Sequence, residues 1–389
     1  MPAATDLNQV PDQSGIRIEI PSRSHLAARH AGLLSTLETH AAQADTEARL
    51  PAPVLAQLRS SGILGAAIPA EYGGHDGTAP LVNRLTELVA VADPSAAIVL
   101  YQHWAVSARI TEWATPQQRA HCLPRLADGR WLAASAWSEQ GAGADKSNIR
   151  TTAVRVPGGW RLDGAKAFTT GAGLADLYLV LARTASPSRT DTGYGRDGQT
   201  FFLIEADNPG LTAHDGLDLV GMRASATGTV HLRSCTVPDD AVLGPEGKAA
   251  DIIRGVRETG ASLGAVAVGI AESAYRLACS HLDKRGGAAP QAVRHRLADL
   301  AARVAQARAI VDSAGHRDTA DPGTLTLHSK IAASALAEEA CLEAQRLIGS
   351  AAFLRGHPVN RISRDARAIA LMGPTNDLCR ELVTTRWTD

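Results

Sequence analysis

The sequence predicts an α+β chain in three units: an N-terminal helical domain over 24–130, a middle β-barrel domain over 131–245 and a C-terminal four-helix bundle over 246–389. Residues 1–23 are expected to be a flexible tail. Three observations carry this order. From Ser24 to about Arg130 apolar residues recur at helical spacing, in blocks cut by Pro51-Ala52-Pro53, by the turn Pro69-Ala70-Glu71-Tyr72-Gly73-Gly74 and by Pro94. From Trp131 to about Leu243 the pattern changes to short β-rich runs, Trp160 to Leu162, Leu177 to Ala182, Thr200 to Glu205 and Thr229 to Leu232, separated by Gly, Pro and Asp turns. These read as a compact antiparallel barrel or sandwich. From Lys248 to Trp387 long Ala/Leu/Arg-rich helical patterns return, divided near Gly286-Gly287, Asp321-Pro322-Gly323 and Arg355-Gly356-His357-Pro358, which suits a bundle.

Composition narrows the class of protein. At 389 residues the chain is long enough for two or three core-forming units. With 39 basic and 40 acidic residues it lacks the broad positive field that attracts nucleic acid or an anionic membrane. The five cysteines, Cys122, Cys235, Cys279, Cys341 and Cys379, stand singly, with no CxxC pair and no histidine at metal spacing. Neutral thiols in a reducing cytoplasm are expected, with no metal. The start of the chain has no apolar signal core, and no run of about eighteen apolar residues occurs.

Chemistry concentrates between Trp131 and Gly171. Ala136-Trp137-Ser138-Glu139 leads into Gly141-Ala142-Gly143-Ala144-Asp145, supplying small residues and backbone N–H groups where a planar cofactor approaches the main chain. Lys166-Ala167-Phe168-Thr169-Thr170-Gly171 supplies an aromatic face and hydroxyl donors. A third segment, Gly221-Met222-Arg223-Ala224-Ser225-Ala226-Thr227, precedes the strand-like run Val230 to Val237. Each alone reads as a Gly-rich β-turn, and Phe168 alone as a core aromatic. In this order and spacing they look like a cradle for a planar cofactor such as a flavin.

Together these segments resemble the acyl-CoA dehydrogenase superfamily of flavoproteins, and the likeness covers essentially the whole chain after Ser24. Ile68-Pro69-Ala70-Glu71-Tyr72-Gly73-Gly74, Lys330, Gly349 and Arg364-Asp365-Ala366-Arg367 are similar to further landmarks of that family. The resemblance implies FAD, with Trp137 and Ser138 along the flavin ring, Phe168 stacked on it and Thr170 donating near its N5. It places Arg285 and Gln291, and Arg346, Gly349 and Thr375, against the adenine and pyrophosphate of a cofactor shared between subunits, and so implies a homodimer or homotetramer. Arg346 stands where the family usually has Gln, and a guanidinium still suits phosphate.

The departures bear on the reaction. The family's usual catalytic carboxylate, after the Arg-Asp-Ala motif, falls on Gly373, which accepts no proton. Some members carry the base at the start of the first bundle helix instead. There the nearby carboxylate is Glu258, whose plainer reading is a surface residue. In Lys284-Arg285-Gly286-Gly287-Ala288-Ala289-Pro290-Gln291 the expected Phe-Gly is missing and the Gln comes early, while Ala144 replaces a Ser that meets the pantetheine arm in many relatives.

Two activities compete on these residues. One is α,β-dehydrogenation of an acyl thioester, on CoA or on a carrier protein, with Glu258 as base and an electron-transfer flavoprotein as acceptor. The other is a reduced-flavin, oxygen-dependent monooxygenase, performing N- or C-hydroxylation and fed by a flavin reductase, with FMN as an alternative cofactor. That reading needs no α-proton base, and His103, in Tyr101-Gln102-His103-Trp104, is the residue expected on its substrate side. A catalytically silent partner subunit is the third, which the retained Phe168 and Thr170 argue against.

Overall fold

The computed structural model describes residues 9–11, 17–141, 148–184, 198–284 and 290–385. Two short strands, β1 (Gln9–Pro11) and β2 (Arg17–Glu19), pair antiparallel within the stretch expected to be a loose tail. Six helices follow: α1 (Arg23–Arg29), α2 (Ala31–Glu47), α3 (Ala52–Ser60), α4 (Ala79–Ala92), α5 (Pro94–Trp113) and α6 (Pro116–Ala127). The prolines read as breaks open helices here, because a first-turn residue needs no intrahelical N–H partner. The side chain of Asp93 caps Ser95 and Ala96 at the head of α5, and Thr115 and Gln118 form a reciprocal capping box at the head of α6.

The middle unit is one eight-stranded sheet of β3 (Ala133–Ala136), β4 (Thr152–Val156), β5 (Gly159–Thr169), β6 (Leu177–Arg183), β7 (Gln199–Glu205), β8 (Leu211–His214), β9 (Gly228–Pro238) and β10 (Val242–Leu243). The order is β10-β7-β6-β4-β5-β9-β8, and β3 pairs with β6. The sheet is mixed rather than wholly antiparallel, since β3 and β4 each pair parallel with β6. The β4–β5 hairpin lies between β3 and β6 in the chain, and that crossover permits the parallel pairing. Leu177, Leu179 and Leu181 of β6 pack with Phe201 toward the helices, while Tyr178, Val180 and Ala182 pack with Trp160 and Phe202 in the sheet's own core. Burial on both faces explains why β6 and β7 read as continuous apolar runs.

The C-terminal unit comprises α7 (Ala249–Glu258), α8 (Gly264–Asp283), α9 (Gln291–His316), α10 (Pro322–Ile348), α11 (Pro358–Leu371) and α12 (Asn376–Thr384). Helix α8 is its buried centre: Ala265 through Ala271 is sealed from solvent. A side chain at Gly269 would come within 2.5 Å of the Glu87 carbonyl, so the glycine lets α8 and α4 touch backbone to backbone. No helix among the described residues is long and apolar enough to cross a membrane, and none of their His, Cys, Asp and Glu side chains cluster to hold a metal ion.

Candidate active site

Two strand ends build the cradle. Ala167 N–H donates to the Ser138 carbonyl at 2.9 Å, laying Lys166–Gly171 alongside Ala136–Glu139. Beneath them Lys166 Nζ meets Glu139 Oε1 at 2.7 Å with both side chains sealed from solvent, 0% and 5% exposed. Glu139 also accepts from the Arg150 N–H (2.6 Å), the Thr151 N–H (3.0 Å) and the Thr151 hydroxyl (2.6 Å). Burial works to raise the Glu139 pKa, but the Lys166 charge and these donors outweigh it and leave it lowered. Burial brings Lys166 down to about 8 against the pull of Glu139. Neither residue was assigned a role from sequence, because 27 positions separate them and nothing local marks the pair.

The β5–β9 ladder slips between Lys166 and Thr169, and the bulge throws Phe168 outward. Phe168 adopts φ +53° and is 67% exposed, the opposite of a core aromatic. A bulky residue held left-handed and presented to solvent fits a ring that a ligand stacks on. Beside it the Thr170 hydroxyl lies 3.2 Å from that of Thr227, which lies 2.7 Å from that of Ser225. Gly171, at φ +81°, donates its N–H to the Ser225 carbonyl. Thr169 Oγ1 and Trp137 Nε1 are buried without a hydrogen-bond partner among the described residues, so polar groups at the cradle stand ready for a ligand. The Trp137 ring itself packs on Phe201, with centroids 4.8 Å apart. These residues fit a flavin. The loop positions Ala142 to Asp145, Ala144 included, lie outside the described residues.

The third cradle segment is held by α11. Met222 N–H donates to Asp365 Oδ1 at 2.6 Å, Arg364 Nε donates to the Val220 carbonyl at 3.0 Å, and Arg364 pairs with Asp45 of α2. Gly221 is required, since a Cβ there would lie 2.4 Å from the Arg364 carbonyl oxygen. The Arg364-Asp365 landmark thus anchors the loop that carries Ser225 and Thr227, a role sequence reading missed. Burial raises the Asp365 carboxyl to about 7.

Glu258 sits at the end of α7, half-buried, and makes no hydrogen bond or ion pair among the described residues. Four residues on, Ser262 meets Ser329 of α10 hydroxyl to hydroxyl at 2.7 Å. The neighbouring Lys330 donates to the carbonyls of Met372 (2.9 Å) and Pro374, gripping the segment that carries Gly373. The turn after α7, at Ser262, and the segment carrying Gly373 are therefore held by adjacent residues of α10, Ser329 and Lys330. One turn before Glu258, a Cβ on Gly255 would stand 3.9 Å from the buried guanidinium of Arg109, whose Nε and Nη1 have no hydrogen-bond partner among the described residues. Nothing in the sequence had drawn attention to Arg109.

His103 does not face a substrate. It is fully buried, with Nε2 3.2 Å from the Leu64 carbonyl and Nδ1 accepting from the Ala133 N–H at 3.3 Å. Those partners fix one neutral tautomer, and His103 is a staple between α5 and β3. Burial lowers its pKa from 6.5 to about 4. The unfolded chain takes up this proton more readily, so stability is lost as pH falls from about 6.5 to about 4, by about 3 kcal/mol at the bottom of the window. Urea midpoints measured across that range should fall less steeply in His103→Asn, and an unchanged slope would contradict the assignment.

The remaining sequence candidates are not joined to the cradle by any hydrogen bond or ion pair among the described residues. Gln291 is exposed at the start of α9, 3.5 Å from His295. Arg346 is exposed and 3.9 Å from Glu343. Gly349 ends α10 at φ +77°. The Thr375 hydroxyl caps α12 by accepting from the Leu378 N–H at 3.2 Å. Arg285 lies outside the described residues.

A helical unit, a mixed sheet that presents an exposed aromatic at a bulge and a helical bundle are the architecture of a flavoprotein oxidoreductase. Residues 32–130, 134–235 and 252–387 match the N-terminal, middle and C-terminal domains of acyl-CoA dehydrogenase, respectively. The chain is 31% identical to the probable acyl-CoA dehydrogenase FadE25 of Mycobacterium tuberculosis over 89% of this chain and 90% of that one. It is 29% identical to the L-prolyl-[peptidyl-carrier protein] dehydrogenase of Pseudomonas fluorescens, over 83% and 87%. Butyryl-CoA dehydrogenase from Megasphaera elsdenii superposes with a TM-score of 0.87 at 25% identity, covering 96% of this chain and all of that one. The chain belongs to the acyl-CoA dehydrogenase family and is a flavin-dependent oxidoreductase.

Proposed function

We propose that the protein oxidises an acyl thioester between Cα and Cβ with FAD as its flavin and Glu258 as its base. The observation that carries this is Glu258 itself: a half-buried carboxylate with no hydrogen-bond or ion-pair partner among the described residues, four positions before Ser262, which α10 holds next to its grip on the segment of Gly373. Bound flavin supplies the acceptor for the hydride that leaves Cβ. Glu258 takes the proton from Cα, and the thioester oxygen that gains charge needs donors from the chain. Phe168 holds the ring by stacking and Thr170 orients it, its hydroxyl positioned by Thr227 and Ser225. Thioesters deuterated at Cα should reduce the flavin more slowly than unlabelled ones. Equal rates under conditions where chemistry limits turnover would mean that removal of the Cα proton does not limit flavin reduction.

Phe168→Ala is expected to weaken flavin binding by about 1–3 kcal/mol through lost apolar contact. Unchanged affinity in both Phe168→Ala and Thr170→Ala, measured by flavin titration of the apoprotein, would undo the cradle assignment. The carrier-protein relative widens the substrate class to thioesters on a phosphopantetheine arm as well as on CoA. An electron-transfer flavoprotein is the acceptor this chemistry calls for. Leu342, Phe353 and Leu354 are exposed around Arg346 and Gly349, Phe353 at 95%, and this apolar surface supports a homo-oligomer closed over that end of α10.

One observation favours a second reading, a flavin monooxygenase: Gly373 itself, since oxygen activation requires no α-proton base. Oxygen consumption driven by a flavin reductase, with no thioester oxidised, is the result that would select it.

A further inference from the structure

We propose that a cavity in the N-terminal helical unit, between α1, the head of α4 and the 62–78 segment, is a binding site for a short-chain carboxylate. The cavity encloses about 170 Å³. That is room for roughly six water-sized groups, the size of butyrate. None of the residues lining it belongs to the flavin cradle, and the inference is independent of the proposed reaction.

Its two ends differ in chemistry. Leu26, Ile63, Leu81 and Leu85 line an apolar floor. Arg29, His30 and His75 line the polar side. His30, at the junction of α1 and α2, is more than nine-tenths buried, and its Nδ1 has no hydrogen-bond partner among the described residues. Arg29 Nη2 lies 3.5 Å from His75 Nε2, and since a guanidinium only donates, that imidazole nitrogen accepts. A carboxylate set among these groups would take donors from the guanidinium and from the imidazoles, while its alkyl chain covers the floor. A neutral or cationic ligand gains nothing from the Arg29 charge. Four groups with titratable or fixed charge line the cavity: Arg29, His30, His75 and Asp76. Asp76 accepts from the Ala70 N–H at 2.7 Å, and its charge also acts on His75.

The walls are built, not loose. The rim is tied to the 65–68 segment by His75 N–H to the Gly65 carbonyl (3.0 Å), Asp76 N–H to that of Ile68 (3.0 Å) and Gly77 N–H to that of Ala66 (2.8 Å). On the opposite side the Arg84 guanidinium holds the carbonyls of Ile20 (3.2 Å) and Pro21 (3.1 Å). Such a frame lets a small ligand bind without ordering a loop. Burial and then the Arg29 charge lower the pKa of both His30 and His75; His75 adds to the lowering at His30, while Asp76 partly offsets it at His75. An anion relieves that repulsion and favours the protonated imidazoles, so affinity rises as pH falls.

Calorimetry on the flavin-loaded full-length protein decides the matter, with butyrate as probe and n-butanol as the neutral control. Butyrate should bind saturably at about pH 6 with a Kd on the order of 1 mM, and about tenfold more weakly at about pH 8. Arg29→Gln, a change at an exposed residue, should weaken it at least about tenfold, the scale of a lost charge-assisted hydrogen bond. His30→Gln should flatten the pH dependence. Absence of saturable butyrate binding, equal binding of n-butanol, or butyrate binding unchanged by Arg29→Gln would each overturn the proposal. The Arg29 variant decides it even where His30→Gln fails to fold.

Discussion

Replacing Lys166 by Met should destabilise the protein by about 3–5 kcal/mol, because it leaves the Glu139 carboxylate buried without its counter-charge. The three remaining donors to Glu139, from Arg150 and Thr151, soften this loss but carry no full charge. Since the pair ties the two strand ends of the cradle together, flavin affinity should fall alongside stability. Removing both charges, in Lys166→Met with Glu139→Gln, should recover part of the lost stability, because a neutral amide costs less to bury than a lone carboxylate. Urea unfolding of the four proteins of this cycle measures both effects. A single-variant loss below about 1 kcal/mol, the scale of an exposed ion pair, would mean that the Lys166–Glu139 contact does not hold the cradle.

Glu258→Gln should slow reduction of the flavin by a thioester by about 10²–10⁴-fold, the usual scale of general-base removal, with flavin binding and stability unchanged. The amide keeps the shape of the side chain and loses its basicity, so the effect should fall on the reductive step rather than on substrate affinity. The family's usual position offers a complementary gain. A Cβ at Gly373 meets no heavy atom within 4 Å, and the residue is not in a left-handed conformation. Gly373→Glu therefore meets no clash at its Cβ, and placed on the Glu258→Gln background it should restore part of the rate. Lys330, which grips the flanking carbonyls of Met372 and Pro374, keeps the segment in place for that test. Full activity in Glu258→Gln would remove the base from α7 and favour oxygen chemistry.

The punctuation of the chain was legible because prolines act locally. Pro94 opens α5, Pro322 opens α10 and Pro358 opens α11, each where a first-turn residue needs no N–H partner. The continuous apolar runs of β6 and β7 announced strands, but the parallel pairing of β3 and β4 with β6 depends on a crossover that no local pattern records. The cradle motif around Phe168 was equally visible, whereas the bulge that turns the ring outward was not. Side chains that act across distance were the hardest to read. Asp365 reaches Met222 over 143 positions, and Lys166 reaches Glu139 over 27. His103 was misread for a related reason: its apolar neighbours mark burial, but only the fold reveals that backbone groups of Leu64 and Ala133 occupy both nitrogens.

Anaerobic mixing of the flavin-loaded protein with acyl thioesters of graded chain length, on CoA and on a carrier protein, tests thioester dehydrogenation most directly. The oxidised-flavin absorbance should bleach in a single turnover with one of them, yielding the α,β-unsaturated thioester in equal amount to the flavin reduced. A flavin that stays oxidised with every thioester, yet consumes oxygen once reduced by a flavin reductase, would contradict it.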